Sequence, residues 1–329
     1  VLDLLAAEFA AGTWPLPPAL QGFTPEELAE QLLRVATAVP LTTTERLSWI
    51  TAATLMSINI NGGSGIRKST AVQLLEAATG MLFNSTTLPT SHEAREFAHA
   101  ALRLVGALVQ HFRPPSHALV IRVLDPLPHL SGIEGAVHAL LDRVGALAIA
   151  AKLALPRAPE CYSHAAVSWC LAMAPMFGPI TQQLPYGFSV TLPAHWAQQA
   201  LVDGHPLTLD AEVGLSSFYF PTSLNGLTSA VVNLQTSLHK VMLEGLDDPL
   251  SFLITAPLLL DLNQTVSCAY VQETGGGGIV SKDGMATTDI RPLLNTTAVS
   301  CTSTHLTEFL IGYDVGRPSG VPDAAIQQH

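Results

Sequence analysis

Cys301-Thr302-Ser303-Thr304-His305-Leu306-Thr307-Glu308-Phe309, near the end of the chain, decides how the rest is read. It places a base, an apolar spacer and a β-hydroxyl nucleophile side by side. The hydroxyl of Thr307 can attack the carbonyl of Leu306, the peptide immediately before it, if His305 takes its proton. The peptide becomes an ester, which water then hydrolyses. A histidine with an ordinary pKa of about 6.5 is a neutral base at physiological pH, and Leu306 brings no competing polar group. Alone, His-Leu-Thr is a weak signal, because a histidine beside a threonine in a strand usually fills space. Cys301 four residues ahead of His305, and Cys268 opening the same segment, raise its value.

Working outward, the chain from residue 158 reads as short β-like runs separated by Gly, Pro, Asn and Asp. Candidate strands are 165–172, 187–192, 213–220, 229–238, 250–255, 265–271, 298–303 and 308–313. Their spacing predicts an antiparallel sandwich. Upstream the pattern is helical. Thr24-Pro25-Glu26-Glu27 offers a capping threonine, a proline at the first helical position and a glutamate to close the box, and Leu28, Leu32, Val35 and Val39 follow on one face. Thr42 with Glu45 and Thr90 with Glu93 repeat the box. The predicted fold class is α+β: a helical subdomain over residues 1–157, then a β-sandwich subdomain over residues 158–329.

The charged fraction is 12 % against 48 % hydrophobic, which suits a packed or partner-covered protein and not a disordered one. The formal charge of −11 argues against nucleic acid, since no Lys/Arg-rich patch is present to neutralise phosphates. Uninterrupted apolar runs stay short of the roughly 18 residues that a membrane helix needs. The start, Val1-Leu2-Asp3, has neither an initiator Met nor a signal-peptide pattern, so the chain is read as a piece of something larger, with any anchor outside it. Cys161, Cys170, Cys268 and Cys301 allow three pairings, among which sequence does not choose. The sequons at Asn84, Asn263 and Asn295, and the lack of CxxC metal spacing, favour oxidised thiols and a secreted or cell-surface setting.

Other signatures fall away. The run Gly62-Gly63-Ser64-Gly65-Ile66-Arg67-Lys68-Ser69-Thr70 has Arg67 where a phosphate loop requires glycine, and is read as a surface loop. His92, Glu93 and His99 miss the HExxH spacing and gain no third ligand. No cofactor or metal is implied, and no hydrolase acting on outside substrates.

The wording Cys-x3-His-Leu-Thr-x-Phe resembles the GPCR proteolysis site (GPS), the cleavage motif inside the GAIN domain of adhesion receptors and polycystin-1-like proteins. A helical half followed by a sandwich that ends in this motif resembles the two-part GAIN domain over nearly the whole chain, with a GPS segment at about residues 262–313. The resemblance implies that His305, Leu306 and Thr307 carry a single-turnover cleavage in cis between Leu306 and Thr307, with the fragments staying associated. It implies a Cys268–Cys301 disulfide, leaving Cys161 with Cys170. It also implies a glycoprotein on the extracellular side of the plasma or ciliary membrane. Its partners would be its own fragment from Thr307 onward, the membrane-embedded remainder of the parent and an extracellular protein ligand. Adhesion receptors usually carry four cysteines and two tryptophans in this segment, so the two-cysteine form here is more similar to polycystin-1. Phe309 fits the tethered agonist of an adhesion receptor, but Gly312 and Tyr313 do not, which leaves that parent as the runner-up. An uncleaved structural or adhesion module of the same fold is the alternative class.

Overall fold

The computed structural model describes residues 23–38, 40–58, 66–83, 90–112, 133–152, 159–164, 167–185, 187–220, 229–257, 264–274, 277–293 and 296–315. Five described helices come first: α1 (Pro25–Ala38), α2 (Thr43–Ile58), α3 (Lys68–Phe83), α4 (Ser91–Phe112) and α5 (Ile133–Ala150). The starts of α1, α2 and α4 are capping boxes. The amides of Glu27, Glu45 and Glu93 donate to the hydroxyls of Thr24, Thr42 and Thr90, while each glutamate accepts from its threonine's own amide at 2.8 Å. Two otherwise orphaned amides are thereby satisfied at each start. The surface-loop reading of the glycine-rich run is corrected at its end. Lys68, Ser69 and Thr70 open α3, and Glu26 of α1 caps them by accepting from the Arg67 amide at 2.8 Å and the Thr70 hydroxyl at 2.5 Å. Residues 62–65 lie outside the described residues.

Antiparallel strands follow. One sheet runs in the order β1 (Glu160–His164), β2 (Val167–Met173), β7 (Gly214–Phe220), β8 (Ser229–Gln235), β15 (Glu308–Val315), β11 (Gln264–Thr274), β12 (Gly277–Ser281). It is extended beside β8 by β5 (Ala200–Val202), β6 (His205–Pro206) and β9 (Lys240–Leu243). The second sheet runs β13 (Met285–Pro292), β14 (Thr296–Ser303), β10 (Leu250–Pro257), β4 (Phe188–Leu192), β3 (Ile180–Leu184). Side chains alternate across a strand, and the first sheet buries both faces. Trp169, Leu171, Phe218 and Val231 pack into the core of the helices, while their neighbours Cys170, Tyr219, Ala230 and Val232 join Phe252, Ile254 and Val299 of the second sheet. Phe309 of β15 stacks on Phe252 of β10 at 4.1 Å between ring centroids, linking the two sheets directly.

Candidate functional site

β14 belongs to one sheet and β15 to the other, so residues Thr304, His305, Leu306 and Thr307 form an arch that carries the chain between them. Four neighbouring segments hold its backbone. The Thr304 amide donates to the Gly284 carbonyl at 3.1 Å, and the Thr304 carbonyl accepts from the Leu246 amide at 2.8 Å. The Leu306 amide donates to the Leu243 carbonyl at 3.1 Å, and the Thr307 carbonyl accepts from the Val232 amide at 3.3 Å. Inside the arch the fully buried Ser303 hydroxyl donates to the His305 carbonyl at 2.9 Å and accepts from the His305 amide at 3.2 Å. Leu306 tucks its side chain against the core between the sheets. A backbone tied at this many points has few ways to relax, which is the condition for a reacting geometry to be held in advance.

His305 sits with its ring edge-on to Tyr270 of β11, centroids 4.2 Å apart and planes at 68°. Its Nε2 is buried without a hydrogen-bond partner among the described residues. Burial holds the imidazole below its ordinary pKa, with the Glu244 carboxylate opposing. The ring is therefore neutral at physiological pH, the state a general base requires. The turn before β13 also approaches the arch. Gly284 adopts a positive φ of 68°, and a Cβ there would run into the Thr304 hydroxyl and stand 3.5 Å from His305 Nδ1. The arch lines a cleft of about 650 Å³ together with Asp142 of α5, Asn233 and Lys240. Asp142 joins these elements, accepting from Asn233 at 2.7 Å and pairing with Lys240 at 2.5 Å.

Two disulfides are present, and their partners lie in different settings. Cys268 of β11 bonds Cys301 of β14 with Cα atoms 6.1 Å apart, joining the two sheets just behind the arch. Cys161 and Cys170 face each other across the β1–β2 ladder. Such bonds suit a secreted or extracellular setting. Among the described residues no helix is long and apolar enough to cross a membrane. Asn84, Asn263 and Asn295 lie outside the described residues. Compared with protein-family models and with curated proteins, the chain matches none.

Sequence reasoning brought His305, Leu306 and Thr307 together because they are adjacent. It missed the groups that hold them: Gly284, Leu243, Leu246 and the Ser303 hydroxyl. Gly284 carried a usable signal, since Asp283-Gly284 between two runs marks a turn, here the one that takes the chain from β12 in the first sheet to β13 in the second. Leu243 and Leu246 act through their backbones, which no side-chain pattern announces.

Proposed function

We propose that this chain is an autoproteolytic module that cuts itself between Leu306 and Thr307, a GAIN-like domain with a GPS motif from the extracellular region of a polycystin-1-like membrane protein. In this reading the helices and the two sheets are the two subdomains, the sheets forming a β-sandwich. The observation that carries it is the arch: a neutral, partly buried histidine two residues ahead of a threonine, on four residues whose backbone is tied to Gly284, Leu243, Leu246 and Val232.

His305 takes the proton of the Thr307 hydroxyl, whose oxygen adds to the Leu306 carbonyl carbon. The C–N bond then breaks, the proton passes to the departing nitrogen, and Leu306 is left as an ester on Thr307 with a free amine. Water splits the ester, leaving a carboxylate on Leu306 and the hydroxyl on Thr307. An ester is less stable than an amide, so the first step needs help from the held geometry or from donors to the developing oxyanion. No resident cofactor enters any step.

The test is a denaturing gel with mass spectrometry of the fragments. The parent should give two pieces meeting at Leu306 and Thr307, Thr307→Ser should still be cut, and Thr307→Ala should stay whole with its fold intact. A parent that remains one polypeptide would make the domain an uncleaved structural module. Full cutting of Thr307→Ala would rule out the acyl shift.

A further inference from the structure

Away from the arch's own chemistry, two largely buried carboxyl groups lie close enough to repel each other where α5 passes the beginning of the last described strand. Glu134, the second residue of α5, is 6 % exposed, and its Oε2 has no hydrogen-bond partner among the described residues. Glu308, the first residue of β15, has a side chain only 11 % exposed and bears on Glu134 electrostatically. His138, one turn beyond Glu134 on α5, places Nε2 3.9 Å from Glu308 Oε2, and Lys68 at the start of α3 is the cation that faces Glu134. A buried carboxylate without partners is costly, and a second one beside it makes full ionisation of both costlier still.

We propose that Glu134 and Glu308 form a proton-held latch between the helical layer and the first residue of the C-terminal strand, tight while the pair retains a proton and slack once it is lost. The latch joins α5 to β15 whether or not the Leu306–Thr307 peptide is intact, so it stands apart from the cleavage reading. Burial first, and the Glu308 charge second, push the Glu134 carboxyl up to about 9 against the opposing pull of Lys68.

The direction of the pH effect follows. In the unfolded chain this carboxyl has an ordinary value of 4.5, and in the folded one it keeps its proton to about 9. The folded state thus binds the extra proton throughout that window, and stability falls as pH rises through it. Below the window both states are protonated and the group contributes no slope. Freeing the start of β15 from the helical layer therefore costs less as pH rises across this window, and the folded pair itself lets go of its proton only near the window's upper end.

The experiment is thermal unfolding of the full chain and of Glu134→Gln from about pH 5 to about pH 9. Carboxyl NMR titration with 13C-labelled glutamate accompanies it. The amide keeps the shape and removes the charge, so the variant should melt above the parent by a margin that widens to several degrees with rising pH. One glutamate signal with a midpoint far above the rest should vanish in the variant. Parallel melting curves, or a parent in which every glutamate titrates in the ordinary range, would overturn the latch. If Glu134→Gln does not fold, Glu308→Gln in the same titration decides, because it should move the high midpoint downward and an unmoved midpoint refutes the pairing.

Discussion

Gly284 shows how a single missing methyl group can matter to a distant motif. Its positive φ suits glycine, and its bare Cα lets the turn's carbonyl accept from the Thr304 amide at close range. Gly284→Ala adds backbone strain of about 1–3 kcal/mol and pushes on the Thr304 hydroxyl. Cleavage should fall severalfold while the melting temperature drops by only a few degrees, and removing the obstructing hydroxyl with Thr304→Ala should restore part of the cutting. A double variant no better than Gly284→Ala would show that the steric account is wrong. His305 gives a second expectation. Its imidazole stays neutral to a pH lower than usual, so the rate of cutting during refolding should hold through neutrality and fall off only below about 6.5. A decline already centred above that value would mean that burial does not set the base. The chemistry of His-Leu-Thr was readable because its three members are consecutive. Gly284 was readable as a turn former and unreadable as a support, since its partner lies in the arch twenty residues further on.

β15 is paired on both sides, to β11 from Gln264↔Val315 to Tyr270↔Phe309 and to β8 from Glu308↔Val231 to Leu310↔Ser229. Phe309, Leu310 and Ile311 are all buried. Cutting the peptide ahead of Thr307 removes none of these interactions, so the downstream fragment should stay bound under native conditions. Native size-exclusion chromatography of cleaved protein should give one peak containing both pieces, and a free fragment eluting late would refute this. Removing the Cys268–Cys301 bond should lower stability by up to the 2–5 kcal/mol typical of small secreted domains, roughly, as read from denaturant unfolding. Eight strands were legible from alternating or continuous apolar runs. β3 escaped because Gln182 fills an inward position, its amide donating to the Leu215 carbonyl at 3.2 Å and its oxygen accepting from the Ser217 hydroxyl. β13 escaped because it is an exposed edge on which Thr287, Thr288, Asp289 and Arg291 break up the apolar residues, leaving no alternation.

The helices and the first sheet share one core, so the two halves of the chain are not independent bodies. Trp169 and Phe218 are completely buried against the helices, and α5 comes so near β8 that a Cβ on Gly145 would collide with the Gln235 side chain. Residues 158–329 produced without the helices should therefore bind a hydrophobic dye or aggregate, since a large apolar face would meet water. A soluble, dye-silent fragment would show that the face is covered some other way. The division into a helical part and a stranded part was visible in the change of hydrophobic period. Their common core was not, because the continuous apolar run of β2 records burial on both faces without saying what lies on either side.

One consequence of the disulfide between the sheets concerns what it does not reach. All four cysteines of this chain precede Leu306, so each bond begins and ends in the polypeptide upstream of the cut. β15 after cleavage is then a guest with no covalent tether to its host from these cysteines. Reductant would loosen one sheet from the other while leaving the guest's own attachment chemically unaltered, and its residence time is set by how fast the surrounding strands open. Denaturing gels run with and without reductant should release the same amount of the fragment.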